Sequence, residues 1–469
     1  MSSTAIQNQE TKHVKTKEFV LYLLGIFFYT CMTGMIGSYR NSYLVDVLKI
    51  TDDEASLFNG LVKVIPFILS FFITMYIDGR KTGRLGKFRP LAMFVVIPMS
   101  AILVLSFWTP KVLSGTLLMI YLVTIAVLWG ALCTLGNSIN MIANVMTPNM
   151  KERDNVISFR SISSAVGNSA PLVIVLVIGL IWKDNTALQY IIGAGLCSVV
   201  GVITVLLGMR VVRERVTYTT EKKNPFVGIK DVLTNKYALL IICSEFLKSF
   251  RELANFMNVF VATAFLGSAS KYVIFALPTG IGTAVGMLVI NFLLKKFNSK
   301  VLYIASGIYS VIANILAFIV GYFYLTTGSP VLNIVFIIFL FLIGLQFGAS
   351  NLLPSMFQAD VLEDIEAKTG KRIDATLPFV ISIGTLISGT IATTIAPKIL
   401  YGPTSIIQYQ QGSETQELET KILLLFFYTI VHGIMMFLAG VPFFFYKLTG
   451  KTKEDVHQKV LEMREKNNA

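Results

Sequence analysis

Charge is what this sequence has least of. Only 14% of its 469 side chains are Asp, Glu, Lys or Arg, against 54% hydrophobic ones, and the mean hydropathy is +0.68. That shortage excludes a soluble domain with an ordinary polar surface. The four cysteines, Cys31, Cys133, Cys197 and Cys243, all lie in apolar runs without metal-type spacing or a partner in a loop. They read as packing residues, not as zinc ligands or a disulfide framework. The glycine-rich stretches GIGTAVG and GTLISGT are not followed by Gly-Lys-Ser/Thr, which excludes a phosphate loop and ATP hydrolysis. Such glycines allow helices to approach closely or to bend. The N-terminal MSSTAIQNQETKHVKTKEF leads directly into a full-length apolar run, so no cleaved signal peptide is expected.

What is present is a series of apolar runs separated by short polar breaks. They fall near 19–46, 54–77, 91–109, 114–147, 157–182, 188–209, 237–266, 271–295, 299–325, 331–353, 375–399 and 421–447. About twenty residues suffice to cross the hydrocarbon core, so the expected fold class is an all-α membrane protein with twelve transmembrane helices. The net charge of +13 could suit nucleic acid or anionic lipid, but its distribution argues for topology. Arg80, Lys81, Arg84, Lys87 and Arg89 follow the second run, whereas Lys49 alone follows the first and Lys111 alone the third. Lys151 and Arg153 follow the fourth, the 210–236 connection is strongly basic, and Lys368, Lys371 and Arg372 follow the tenth. By the positive-inside rule both termini are cytoplasmic, and no nucleic-acid partner is expected. With no organelle signal evident, the cell membrane is the expected location.

The organisation that follows is a cytoplasmic tail (1–18), a six-helix half (19–209), a basic connecting loop (210–236), a second six-helix half (237–447) and a cytoplasmic tail (448–469). Six plus six with a basic middle loop is the layout of many secondary transporters. A channel or a membrane-embedded enzyme is the alternative. No cofactor or metal is expected.

Positive-inside statistics do not explain the order of residues in DGRKTGRLGKFRP, Asp78 to Pro90. This stretch resembles the loop between helices 2 and 3 of the major facilitator superfamily, and more closely that of its glycoside-pentoside-hexuronide:cation symporter family, which includes the melibiose carrier. Further similarities follow in order: YLLG at Tyr22, LWG at Leu128, KERDNVISFR at Lys151 and ADVLEDIEAKTGKR at Ala359. The resemblance implies a major facilitator fold of two six-helix halves, alternating access and symport of a sugar with a cation. Asp78 and Arg84 in the first loop, with Asp360 and Arg372 in the last stretch, are expected to form a cytoplasmic gate.

The sequence departs from that family where the family binds sugar and cation. The positions of the family's aspartates on helices 1, 2 and 4 read Thr30, Phe67, Phe71 and Asn137, the helix 4 tryptophan falls at Met141, and the helix 11 lysine falls at Leu386. Only the helix 5 arginine is matched, by Arg160. Two phenylalanines offer no hard oxygen ligand, so the resemblance carries over neither a sodium site nor the recognition of hexose hydroxyls by aspartate.

The charges left inside the apolar runs supply the other candidates. Glu245, Lys248, Arg251 and Glu252 share the seventh run; on a continuous helix the first two and Glu252 lie on one face, with Arg251 turned toward a cavity. Lys63 and Arg160 lie in the second and fifth runs. Such residues normally face water or a partner. The expected solute ligands are Thr30, Lys63, Asn137, Met141, Arg160 and Arg251, and the expected coupling residues are Glu245, Lys248 and Glu252. A salt-bridge knot that only holds the seventh helix is the alternative for that cluster. Cations exceed acids by four to two in this set, which favours an anionic solute such as a sugar acid. Tyr29, Asn140, Asn255, Asn258 and Gln346 are further hydrogen-bonding candidates, and the lone His432 is read first as structural. A proton is the expected coupling ion. The rival readings are a carrier of an organic anion or lysolipid, suggested by Phe67, Phe71, Met141 and Leu386, and a sensor that no longer transports.

Overall fold

In a computed structural model of the chain, the residues described are 13–79, 83, 85–110, 112–183, 185–215, 228–370, 376–413 and 415–468. Among them there are helices and no strand. The first six long helices are α1 (Thr16–Val47), α2 (Asp52–Gly79), α3 (Arg89–Leu105), α4 (Gly115–Val145), α5 (Met150–Ile181) and α6 (Thr186–Val211). The seventh is divided into α7a (Lys236–Ser249) and α7b (Glu252–Leu266). There follow α8 (Val273–Leu293), α9 (Ser299–Thr327), α10 (Pro330–Thr369), α11 (Thr376–Leu400), α12 (Leu418–Phe445) and a polar α13 (Lys451–Asn468). Ten described helices are long and apolar enough to span a bilayer. α3, at 17 residues, is just shorter, and the division of α7 leaves two pieces of 14 and 15 residues.

The helix ends follow from local chemistry. Asn149, Asn185, Asn235 and Asn298 each accept a backbone N–H of the first turn that follows, starting α5, α6, α7a and α9. Each such cap is worth about 1 kcal/mol. Gly267, Gly328 and Gly370 close α7b, α9 and α10 with positive φ, a conformation that costs glycine nothing.

The chain separates into two compact units, Met1–Lys222 and Lys223–Ala469. In the first, α1 packs along α5 and α6. A Cβ at Gly34 would strike the backbone of Asn168, and one at Gly167 would strike Phe27 and Thr30, so the two backbones nearly touch. Cys31 and Cys197 meet across the α1–α6 contact with their sulfurs 3.3 Å apart, as packed thiols. At one end of this unit Glu214 accepts the backbone N–H groups of Lys87, Phe88 and Arg89 at 2.7–2.8 Å. A carboxylate thus caps the start of α3, where the helix leaves its first N–H groups without partners. Gly86, with φ of +92°, lies against that carboxylate, and a Cβ there would collide with it. Beside it, the buried Glu18 accepts both Nη groups of Arg215 at 2.8 Å. This arrangement explains the Gly-Lys-Phe-Arg-Pro order of the loop: Gly86 for close approach, three N–H groups for Glu214, and Pro90 in the first turn of α3, where no N–H is needed.

In the second unit α8 and α10 are the most intimate pair. Gly282 and Gly286 of α8 face Gly344 and Gly348 of α10, and a Cβ on any of the four would overlap backbone of the other helix. α7a packs on α11 and α12, and α9 on α10 and α12. Phe357, Phe443 and Tyr446 form a buried aromatic cluster, with the Phe357 and Phe443 ring centroids 4.3 Å apart. α13 is strapped to the end of α10: Lys453 Nζ lies 2.7 Å from Asp360, His457 Nδ1 lies 3.1 Å from Glu363, and Val460 is buried. Of the four residues expected to form a gate, Asp360 is therefore engaged within its own unit. Arg84, Arg372 and the side chain of Asp78 lie outside the described residues.

Candidate solute-binding site

The sequence candidates divide between the units. In the first, Thr30 is buried and its hydroxyl donates to the carbonyls of Ile26 and Phe27 at 2.9 and 3.0 Å. It sits in the α1–α5 contact, as helix glue does. Arg160 Nη1 donates to the Asn140 carbonyl at 3.0 Å, while its buried Nε has no hydrogen-bond partner among the described residues. Asn137 and Met141 are exposed on α4, and Lys63 is half-buried on α2. Arg40, near the end of α1, adds a further cation inside an apolar run, its guanidinium carbon 5.5 Å from the centroid of Phe58.

In the second unit the decisive feature is the division of α7. Phe250 and Arg251 donate to the carbonyls three residues back, at 3.2 and 3.1 Å, so the chain tightens there to 3₁₀ spacing before α7b begins. Each residue then turns by 120° instead of 100°. Glu245 and Lys248 therefore lie on α7a, and Glu252 at the start of α7b. Lys248 Nζ lies 2.5 Å from Glu245, and Glu252 accepts Asn255 Nδ2 at 3.2 Å.

Arg251, at the break, lines a partly open cavity of about 300 Å³ between α7b, α8, α10 and α12. That volume is at the lower end of small-molecule sites. Arg251 stacks over the Phe347 ring, its guanidinium carbon 5.2 Å from the centroid, and His432 meets the same ring with centroids 4.9 Å apart. Arg251 Nη1 and His432 Nε2 are both buried without a hydrogen-bond partner among the described residues. The polar wall is completed by Asn255, Asn258 and Asn351, Thr279 and Thr283, and Tyr272 and Tyr428. Tyr272 and Asn258, and Tyr428 and Thr279, share this wall. A π turn at Phe427–Val431 widens α12 just where Tyr428 and His432 line the cavity. Single π turns inside helices recur at functional sites.

Arg251 thus reaches the cavity together with Asn255 and Asn258, whereas Glu245, Lys248 and Glu252 do not line it. Gln346, on the neighbouring turn, is buried and donates to Ser350 at 2.7 Å. His432, read from sequence as structural, is part of the wall. Thr279, Thr283, Phe347, Asn351, Tyr272 and Tyr428 were not singled out by sequence reasoning. A signal was present: Arg251 and Asn255, Thr279 and Thr283, Phe347 and Asn351, and Tyr428 and His432 are each four residues apart, the spacing of one helix face.

Apolar helices long enough to cross a bilayer, in two compact units of which the second holds a polar cavity, are the frame of a multi-pass membrane protein. The chain belongs to the MFS/sugar transport protein family, whose model matches residues 21–450, in keeping with its melibiose-carrier-like motifs. It is 22% identical to the uncharacterized symporter YnaJ of Bacillus subtilis over 98% of this chain and 97% of that protein. To the putative glycoside/cation symporter YagG of Escherichia coli it is 23% identical, over 86% of this chain and 85% of that one. Among solved structures it resembles the nucleoside transporter NupG, with a TM-score of 0.60 and 15% identity over 92% of this chain and 100% of that one. It also resembles a D-xylose-proton symporter, with a TM-score of 0.57 and 16% identity over 93% and 98% of the two chains. The two structural likenesses establish the major facilitator fold.

Proposed function

We propose that the protein is a proton-coupled symporter of a sugar-sized solute, and specifically of a sugar acid or acidic glycoside, working by alternating access. The observation that carries this reading is Arg251 stacked on Phe347 in a cavity walled by three asparagines, two threonines and two tyrosines. Amides and hydroxyls suit the many donors and acceptors of a sugar, an aromatic face suits its apolar side, and a guanidinium suits a carboxylate. The printed names of the relatives, a glycoside/cation symporter among them, support the sugar class. The polar lining of the cavity favours such a solute over a lysolipid. The basic even-numbered loops support a cell-membrane orientation with both termini in the cytoplasm. Lys63, Arg160, Asn137 and Met141 in the first unit are kept as proposed solute contacts.

The test is uptake by the purified protein in liposomes, with labelled glucuronate, methyl β-D-glucuronide and methyl β-D-glucoside under an imposed proton or sodium gradient. Proton-driven accumulation of the acids, lost in Arg251→Gln, is expected. Sodium-driven uptake, or preference for the neutral glucoside, would overturn the reading.

A further inference from the structure

We propose that His432 carries the coupled proton and that Arg251 ties it to the solute: an anionic group on the guanidinium and a proton on His432 Nε2 bind together and move as a neutral pair. The inference rests on the anionic-solute reading above and adds to it the residue that takes the proton.

Three observations carry it. First, both side chains pack on the ring of Phe347, at 5.2 and 4.9 Å, and line one cavity, so the guanidinium exerts its charge on the imidazole. Second, His432 Nε2 has no hydrogen-bond partner among the described residues, so the nitrogen that would take the proton is not committed to another donor. Third, the π turn of α12 directly precedes His432, and single π turns inside helices recur at functional sites.

The neighbouring titratable groups do not offer the same link. On α7a, which packs on the same part of α12, Glu245 and Lys248 are bound to each other at 2.5 Å. Tyr303 of α9 shares Ser244 with the carbonyl of Ala439, and Tyr272 and Tyr428 line the cavity beside His432. Tyrosines keep their protons near neutral pH. Glu252, at the start of α7b, accepts Asn255 and is the rival carrier.

The mechanism is electrostatic linkage. A second positive charge beside Arg251 is costly while the guanidinium is bare of anion, and an anion bound there cancels that repulsion and supplies a counter-charge. Binding of the anion therefore draws a proton from the medium onto Nε2, converting neutral imidazole to imidazolium. By reciprocity the proton raises the affinity for the anion by the same factor. On release the anion leaves, the charges on Arg251 and His432 repel again, and the proton departs. One anion and one proton sum to zero charge, so this carrier responds to a pH gradient and is indifferent to membrane voltage.

The experiment is calorimetric titration of the full-length protein in detergent with methyl β-D-glucuronide and with glucuronate, between about pH 6 and 8, where histidine chemistry is read. Buffers of different ionisation enthalpy count the protons taken up. The expected result is close to one proton per anion, with affinity rising toward about tenfold for each pH unit lowered. In His432→Gln and His432→Asn the anion should still bind, with a flat pH profile and no proton uptake. A slope retained in both His432 variants overturns the proposal, and a slope lost in Glu252→Gln moves the carrier to Glu252. If neither His432 variant binds the anion at any pH, His432 is a ligand or packing residue and the proposal fails. Equal binding by the unaltered protein and Arg251→Gln would instead overturn the anionic-solute reading on which it rests. In liposomes, uptake driven by a voltage at zero pH gradient also refutes the neutral pair.

Discussion

Arg251 stacks on Phe347 across the second unit's cavity, its guanidinium carbon 5.2 Å from the ring centroid. Removing the guanidinium while keeping the shape, in Arg251→Gln, should weaken binding of an acidic sugar by about 10- to 100-fold, the loss of one charge-assisted hydrogen-bonded contact. Phe347→Leu keeps the volume but not the ring face and should cost about 0.5–2 kcal/mol of the same affinity. Calorimetry on both variants checks this, and equal loss for the neutral methyl β-D-glucoside would show that charge is not what Arg251 contributes.

The Glu245–Lys248 pair makes a separable prediction. Lys248→Met leaves a buried carboxylate uncompensated and should destabilise the protein by about 3–5 kcal/mol. The double variant Glu245→Gln with Lys248→Met should recover most of that loss in thermal melts. If the double variant also keeps proton-driven uptake, the pair is a structural knot; if it melts normally but uptake loses its proton dependence, the coupling belongs there.

Close packing of α8 on α10 depends on glycine. Gly344→Ala places a methyl group against the Thr279 backbone and Gly282, and Gly282→Ala meets Phe341. Each should cost about 1–3 kcal/mol through forced separation of the helices. Lower melting temperature and reduced uptake are expected together, because Thr279 and Thr283 ride on α8 beside the cavity. Gly280→Ala, with open space around its Cβ position, should melt close to the unaltered protein.

Glu214 should matter to the first unit's stability although it lies far along the chain from α3. Glu214→Ala leaves the N–H groups of Lys87, Phe88 and Arg89 without their carboxylate, and a drop in melting temperature is expected. Gly86→Ala should do the same by steric collision with that carboxylate.

A pH dependence arises at Glu152. Burial pushes its carboxyl up, but bonds from Thr147 and from the backbone N–H groups of Val14 and His13 outweigh this and hold it below its ordinary value of 4.5. A carboxyl depressed in the folded state contributes stability above its unfolded value and loses it as pH falls through the folded one. Glu152→Gln should therefore make melting less sensitive to acid below about pH 4.5. An unchanged acid limb would show that these bonds persist when the group is protonated.

Membrane character, the number of long apolar runs and the family were decided by the sequence by itself, because crossing hydrocarbon demands about twenty apolar residues at each pass and polar loops between them. Arg251, Asn255 and Asn258 were legible as candidates because polar groups are conspicuous in such runs. Tertiary structure alone decided the rest. No proline or glycine marks the break between Ser249 and Glu252, which divides Glu245 and Lys248 on α7a from Glu252 on α7b. Nor does the sequence say that Arg251 and His432 pack on one ring, that of Phe347. Helical periodicity tells which residues share a face; which faces meet depends on how helices pack, and here glycine contacts between α8 and α10 bring Thr279, Phe347 and Asn351 around one space.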